Sequence, residues 1–325
     1  MPSSLTIWCN AKFDAAAQRE LEAGAESHRL VVPETVGGNL SVGGASELLA
    51  QADVAFGQPD PGQVVSLKNL RWVHLTSAGY TRYDREDVRA AIASRGARLT
   101  NSSGVFDDPC AQHLLALMLA HARRLSEAFA AQAEGPEWIY DRLRGRCRIL
   151  EGDAVLILGY GAIARRLVEL LAPFNLRVIA VRQHVKGDEA IPVYPAGEVL
   201  RLLPEADHVV NVLPSSATAD GLVDAEFLAA IKPGAAFYNV GRGTTVNQPA
   251  LISALESGQV DAAYLDVTDP EPLPSDHPLW RAPNCFITPH IAGGHQDEDS
   301  HMVRHFLANL RRFERGEPLV DVVMA

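Results

Sequence analysis

Short apolar runs alternate with polar, alanine-rich stretches along the first hundred residues, and the runs Leu5 to Trp8, Arg29 to Val32, Asp53 to Phe56, Trp72 to Leu75 and Arg98 to Thr100 predict strands. Alternation of this kind implies parallel βαβ units with helices on both sheet faces. The pattern then changes. Asp107 and Asp108 are capping candidates, Pro109 suits a first turn, and Leu114, Leu115, Leu117, Met118 and Leu119 form a broad apolar face, which predicts a long helix ending in the loop Gly135 to Tyr140. That face is wider than packing within one domain needs, so the helix is expected to cross between domains and to meet a partner subunit. A second series follows. Ala154 to Leu158 predicts a strand, Ala162 to Leu171 a helix stopped by Pro173, and Arg177 to Val181, His208 to Leu213, Ala236 to Val240, Ala262 to Asp266 and Cys285 to Thr288 predict further strands. A last helix is expected from His295 to Arg315, ended by Gly316 and Pro318.

The two series predict an α/β chain with a Rossmann-type doubly wound parallel sheet and a smaller α/β domain. The centre of the second series is VLILGYGAIA, Val155 to Ala164, where Gly159, Gly161 and Ala164 match G-x-G-x-x-[GA]. In a βαβ unit the first glycine makes the tight turn, the second lets backbone approach a pyrophosphate, and the small third residue lets helix and strand pack closely. The glycines alone are equally at home in a structural turn after a buried strand. An acidic residue about 20 positions on is the usual partner of the ribose hydroxyls of NAD. Here the next strand runs into Val181-Arg182-Gln183-His184-Val185-Lys186. Arg182, with Lys186 near, would pair with a 2′-phosphate, so the loop points to NADP(H), although a basic loop is also simply a solvated one.

Composition narrows the partners. The 325 residues allow about two domains, and 47% hydrophobic content is enough for two cores. A formal charge of −11 argues against nucleic-acid or anionic membrane surfaces. Cys9, Cys110, Cys147 and Cys285 show no metal-like spacing, so reduced thiols in the cytoplasm and no metal site are expected. No signal-like segment opens the chain and no uncharged apolar run approaches the ~18 residues of a membrane span.

Ligands of open α/β sheets bind at the C-terminal strand ends. Three charged residues stand just beyond predicted strands there: Arg242, Glu271 and His290. Thr76-Ser77-Ala78-Gly79-Tyr80 also follows a strand, and by itself reads as an ordinary βα loop; Asn101-Ser102-Ser103-Gly104 reads as a hinge or crossover. His113 and His121 read as core or helix-surface residues, and Trp138 is expected to pack.

Taken together, LTSAGYTRYD (75–84), GVFDDPCAQHLLALMLAHARR (104–124), ILGYGAIARRL (157–167), NVLPSSATADGLVD (211–224), IKPGAAFYNVGRGTTVNQPALISALESG (231–258), YLDVTDPEPLPSDHPLW (264–280) and NCFITPHIAGG (284–294) resemble the D-isomer-specific 2-hydroxyacid dehydrogenases, which include glyoxylate/hydroxypyruvate reductases. The resemblance implies a discontinuous flavodoxin-like substrate domain, 1–101 with 293–325, and a dinucleotide-binding domain, 102–292. The terminal helix then returns to the first domain, and a cleft closes over substrate. It implies no regulatory domain of the kind many phosphoglycerate dehydrogenases carry, because the chain runs only to Ala325.

The implied chemistry suits the residue types. Hydride transfer to a 2-oxo acid builds negative charge on the carbonyl oxygen, and histidine can supply the proton near neutral pH. His290 is the expected acid, Glu271 its orienting carboxylate, and Arg242 the fork that holds the substrate's carboxylate and carbonyl oxygen. By resemblance, Gly159, Tyr160, Gly161, Ala162, Ile163, Arg182, Leu213, Pro214, Val240, Gly241 and Asp266 meet the cofactor, Asp266 at the nicotinamide carboxamide. Ser77, Ala78 and Gly79 join Arg242 and His290 on the substrate, which revises the plain reading of their loop. Phe106, Tyr80, Trp138 and Trp280 are the candidates for the substrate side-chain pocket. Two departures stand out: Cys110-Ala111-Gln112-His113 replaces the family's V-A-E-H, and the NAD-type aspartate is absent. The expected protein is an NADP(H)-dependent reductase of glyoxylate or hydroxypyruvate type, a cytoplasmic homodimer. An NAD-dependent dehydrogenase of another D-2-hydroxy acid and a dinucleotide-sensing corepressor-like protein are the alternatives.

Overall fold

The computed structural model describes residues 4–37, 43–135 and 137–325. The chain divides into two compact units, 1–106 with 294–325, and 107–293. The sequence expectation set the divisions a few residues earlier, after 101 and after 292.

In the first unit, β1 (Thr6–Cys9), β2 (Arg29–Val31), β3 (Val54–Gly57), β4 (Trp72–Leu75) and β5 (Arg98–Thr100) form a parallel sheet in the order β5-β4-β3-β1-β2. The buried positions of β3 and β4 are continuous and not alternating, as a sheet covered on both faces requires. Helices Ala15–Gly24 and Glu298–Glu314 pack together on one face, where Leu21, Phe306, Leu307 and Leu310 are buried with Ile7, Phe56 and Trp72. The other face buries Trp8, Leu70, Val73, Val88 and Ile92.

In the second unit, β6 (Ala154–Leu158), β7 (Arg177–Arg182), β8 (Val193–Pro195), β9 (His208–Asn211), β10 (Ala235–Asn239), β11 (Val260–Leu265) and β12 (Cys285–Ile287) form a parallel sheet. Its order is β12-β11-β10-β9-β6-β7-β8. Chain direction across the sheet reverses between β6 and β9, so their carboxyl ends make the crevice in which doubly wound folds bind ligands. The expected fold class is the one found.

Three elements differ from expectation. β13 (Val322–Met324), antiparallel to β5, and β8 are only three residues long and carry no pattern of their own. The long helix begins at Ser103, so Pro109 lies inside it and Asp107 and Asp108 are not its caps. Its first turn is capped instead from Asn101, whose Oδ1 accepts the Ser103 N–H at 3.3 Å, and from Asp321, whose Oδ2 accepts the Gly104 N–H at 2.8 Å. The Asp321 cap lies 217 residues away in sequence. Finally, the helix does not reach Gly135. It stops at Ala122, Arg124 turns left-handed at φ 55°, and a separate helix runs Leu125–Glu134. The Arg124 guanidinium bonds Asp261 at 2.8 Å, which holds the break.

Candidate active site

The nucleotide turn follows β6. Gly159 sits at φ 97°, a left-handed conformation that favours glycine, and its N–H donates to Val181 O at 2.9 Å. Gly161 is the N-cap of helix Ala162–Leu171 and offers no side-chain cap. Among the described residues no acceptor takes the N–H of Ala162 or Ile163, and a Cβ on Gly161 would meet nothing within 4 Å. Open N–H groups at a helix N-terminus suit an anion. Ala164 is fully buried, and Tyr160 nearly so, which seats the helix against the sheet. Leu213 and Pro214 follow β9, and Val240 and Gly241 follow β10. A Cβ on Gly241 would come 2.5 Å from Leu213 O and 2.8 Å from Leu213 N, so only glycine lets these two turns touch.

Arg182 is the last residue of β7. Its guanidinium meets the Glu189 carboxylate at 3.3 Å, and Glu189 also accepts the N–H groups of Lys186 and Gly187 at 2.8 Å each. Those backbone bonds, ahead of the Arg182 charge, hold the Glu189 carboxyl below its usual range. Pairing of Arg182 with a carboxylate seven residues on was not legible in the sequence.

Arg242 stands at the end of β10 on an extended backbone that a buried amide network fixes. Thr245 Oγ1 and Asn239 Nδ2 donate to Arg242 O at 2.6 and 3.2 Å, and Asn211 Nδ2 donates to Thr245 Oγ1 at 2.7 Å. Sequence reasoning passed over Asn211, Asn239 and Thr245, because their partners lie on neighbouring strands. The Arg242 side chain folds over Gly241 O at 2.6 Å.

His290 adopts φ 54°, unusual for a residue with a Cβ. Such backbone persists only where its surroundings over-determine it. Asp266, buried just beyond β11, does this. Its carbonyl accepts the His290 N–H at 2.9 Å, Oδ1 accepts Thr288 Oγ1 at 2.6 Å and the Ile291 N–H at 2.9 Å, and Oδ2 accepts the Ala292 N–H at 2.9 Å. His113, expected to be only a helix residue, touches Thr288 Oγ1 through Nε2 at 3.2 Å. The ring so placed meets Glu271 Oε2 through Nδ1 at 2.9 Å. Glu271 Oε1 in turn accepts the Thr268 N–H at 2.9 Å, and Gln248 ties Asp269 from the side. With Nδ1 on a carboxylate, Nε2 is the nitrogen that can give up a proton to a substrate. Glu271 and His290 are thus brought together, while Arg242 rises from the neighbouring strand end of the same sheet edge.

In the first unit, Ser77, Ala78 and Gly79 follow β4. Among the described residues no protein acceptor takes the N–H of Ala78 or Gly79. Of the pocket candidates, Phe106 and Tyr80 pack partly buried on the cores of that unit. In the second unit Trp280 Nε1 donates to Pro274 O at 2.9 Å. Trp138 does not pack: it is 92% exposed, on irregular chain between two helices, and lines a cavity of about 590 Å³ with Arg123, Tyr140 and Leu143. Pro136, beside it, lies outside the described residues. Among the described residues, no cluster of His, Cys, Asp or Glu could hold a metal ion, and no helix is long and apolar enough to cross a membrane.

Residues 115–292 match the family model described as D-isomer specific 2-hydroxyacid dehydrogenase, NAD binding domain. The chain belongs to that family. It is 31% identical over 254 residues to the human glyoxylate reductase/hydroxypyruvate reductase, covering 77% of this chain and 76% of that one. It is 31% identical over 275 residues to glyoxylate/hydroxypyruvate reductase B of Escherichia fergusonii, covering 82% of each. A crystal structure of a family member from Xanthobacter autotrophicus Py2, in complex with NADPH and MES, superimposes with a TM-score of 0.79 at 27% identity over 98% of both chains. The protein is an enzyme of this family, an NAD(P)-dependent 2-hydroxyacid dehydrogenase.

Proposed function

We propose that the chain reduces a small 2-oxo acid of glyoxylate or hydroxypyruvate type, with NADPH as its preferred cofactor. The observation that carries this reading is the Glu271–His290 pair at 2.9 Å on a backbone clamped by Asp266. The bound nicotinamide supplies a hydride to the carbonyl carbon. Nε2 of His290 gives its proton to the carbonyl oxygen as charge builds there, and Glu271 fixes the ring through Nδ1. Arg242 pairs with the substrate carboxylate and the carbonyl oxygen, and in the first unit the N–H groups of Ala78 and Gly79 are set to hold a carboxylate. Asp266, with one lone-pair direction left on Oδ2, takes the carboxamide of the nicotinamide. The product is the 2-hydroxy acid.

Gly159, Tyr160, Gly161, Ala162 and Ile163 cradle the pyrophosphate, with Leu213, Pro214, Val240 and Gly241 along the cofactor. Arg182 holds the 2′-phosphate, a role supported by its place at the end of β7; the NADPH bound to the Xanthobacter relative is consistent with it. Glu189 beside Arg182 favours a second reading, NAD dependence, since a carboxylate at this strand end would repel a 2′-phosphate. Steady-state kinetics with both cofactors against a panel of 2-oxo acids test the choice. A higher kcat/KM with NADPH supports the first reading, and a higher value with NADH overturns it. His290→Ala retaining the wild-type rate would overturn the mechanism.

The working form is a homodimer in the cytoplasm. Exposed Phe129, Trp138, Tyr140 and Ile149 in the second unit support a subunit contact, and four unpaired cysteines suit a reducing compartment.

A further inference from the structure

The carboxyl edge of the first unit's sheet carries buried carboxamides that the mechanism above does not use. Asn10 follows β1, Gln58 follows β3 and Asn101 follows β5, at 6, 6 and 3% exposure. One side chain holds both backbone groups of Gln58: Asn10 Oδ1 accepts its N–H at 2.8 Å, and Asn10 Nδ2 donates to its carbonyl at 3.1 Å. The fit is tight. Gly57 sits at φ 132°, where a Cβ would come 2.0 Å from Asn10 Oδ1, and a Cβ on Gly43 would come 1.7 Å from Gln58 O.

So fixed, the Gln58 side chain reaches across to the loop after β4. Its Nε2 donates to Thr76 Oγ1 at 3.2 Å and to Ser77 Oγ at 3.0 Å, while Oε1 faces the Tyr83 hydroxyl at 3.5 Å. Both protons of Nε2 are spent on hydroxyl oxygens, so those hydroxyls must point their own protons elsewhere. Ser77 points its proton at Gly79 O, 2.6 Å away. Ser77 O accepts the Ser102 N–H at 3.2 Å, and Ala78 O accepts Asn101 Nδ2 at 2.6 Å. All three carbonyls of Ser77, Ala78 and Gly79 are therefore engaged by this unit, and the N–H groups of Ala78 and Gly79 are left for an anion. Successive unpaired N–H groups of this kind form an anion-binding concavity.

We propose that Gln58 is a positioning residue for the substrate carboxylate. It sets the direction of the Ser77 hydroxyl, and through it the turn that aims the two N–H groups. The inference rests on the proposed role of Ser77 to Gly79 in holding that carboxylate. A residue that acts only through this loop governs how well the 2-oxo acid is held, and leaves the cofactor untouched.

The test uses the full-length enzyme with glyoxylate and NADPH. Gln58→Leu keeps the volume and removes the donor. Its KM for glyoxylate should rise about tenfold to a hundredfold, the range expected for losing a buried donor to an engaged loop. The kcat should stay within about threefold and the NADPH dissociation constant should not change. Gln58→Glu offers an acceptor where a donor is needed and draws the Ser77 proton from Gly79 O, so its KM should rise further and recover as the pH is lowered and the new carboxyl protonates. A bridge that serves only the fold would lower the melting temperature and the total active enzyme, without this split or this pH dependence. If Gln58→Leu does not fold, Gln58→Met, unbranched and equally without the donor, takes its place and must give the same rise in KM. Unchanged KM in a folded, active variant overturns the inference alone; a wild-type enzyme that reduces no 2-oxo acid overturns the reading it rests on as well.

Discussion

Gly243 is the position at which a single methyl group should reach the chemistry. It lies buried one residue beyond Arg242, and a Cβ there would come 1.9 Å from Thr268 O, 2.0 Å from Thr268 C and 2.6 Å from Asp269 N. These are backbone atoms that cannot rotate away. Restoring the 3.4 Å of ordinary contact moves the strap of residues 268–271 by about 1.5 Å, or else moves Arg242 by a similar amount. The strap cannot shift alone, since Thr268 N donates to Glu271 Oε1 at 2.9 Å and Glu271 Oε2 holds the His290 ring. A misplacement of ~1 Å in an aligned site can cost ~10²-fold, so Gly243→Ala should lower kcat/KM by about a hundredfold. The overpacking itself should cost on the order of 1–3 kcal/mol, which leaves the protein folded. Steady-state kinetics and thermal unfolding, with exposed Thr244→Ala alongside as a control, read both quantities. A folded Gly243→Ala enzyme within threefold of wild type would refute the idea that the contact between residue 243 and the strap sets the position of Glu271.

Other outcomes follow from the same geometry. Glu271→Gln keeps the size and loses the charge beside His290, and should cut kcat by about 10²-fold or more while the NADPH dissociation constant stays put; equal loss in both would point to a folding defect. Arg182→Ala should weaken NADPH and spare NADH, read as the ratio of their kcat/KM values, and a ratio that does not move removes Arg182 from the cofactor site. Burial, then the charges of His208 and Arg124, push His121 down to about 4 from its ordinary 6.5, with Asp261 only partly opposing them. Because the unfolded chain binds this proton first, stability is lost as pH falls from about 6.5 towards 4, on the order of 3 kcal/mol at about 1.4 kcal/mol per unit. His121→Phe should flatten that part of the curve of melting temperature against pH, and an unchanged slope would show that other groups carry it. Trp138→Glu should shift the protein from dimer to monomer by light scattering if this face makes the proposed contact.

Much of this protein was legible without coordinates, and the reason is local chemistry. Apart from β8 and β13, the strands of both sheets announce themselves as apolar runs, and helix Ala162–Leu171 has the bounds its pattern predicts. Gly159 and Gly161 mark the turn by their spacing after an apolar run, and Gly159 takes the positive φ that glycine favours. Arg242, Glu271 and His290 could be named because each stands just beyond a strand, where the sheet presents ligands.

What escaped the sequence depends on partners far apart in it. Asp321 caps the helix at Gly104, and Asp266 holds His290 in a left-handed conformation through four hydrogen-bonded groups of residues 288–292. The three-residue strands β8 and β13 exist because a sheet edge was there to receive them. The sequence alone determined the architecture and which residues carry charge to the strand ends. Only the tertiary structure decided how those side chains are aimed, because hydrogen bonds between distant strands set direction, and periodicity carries no information about them.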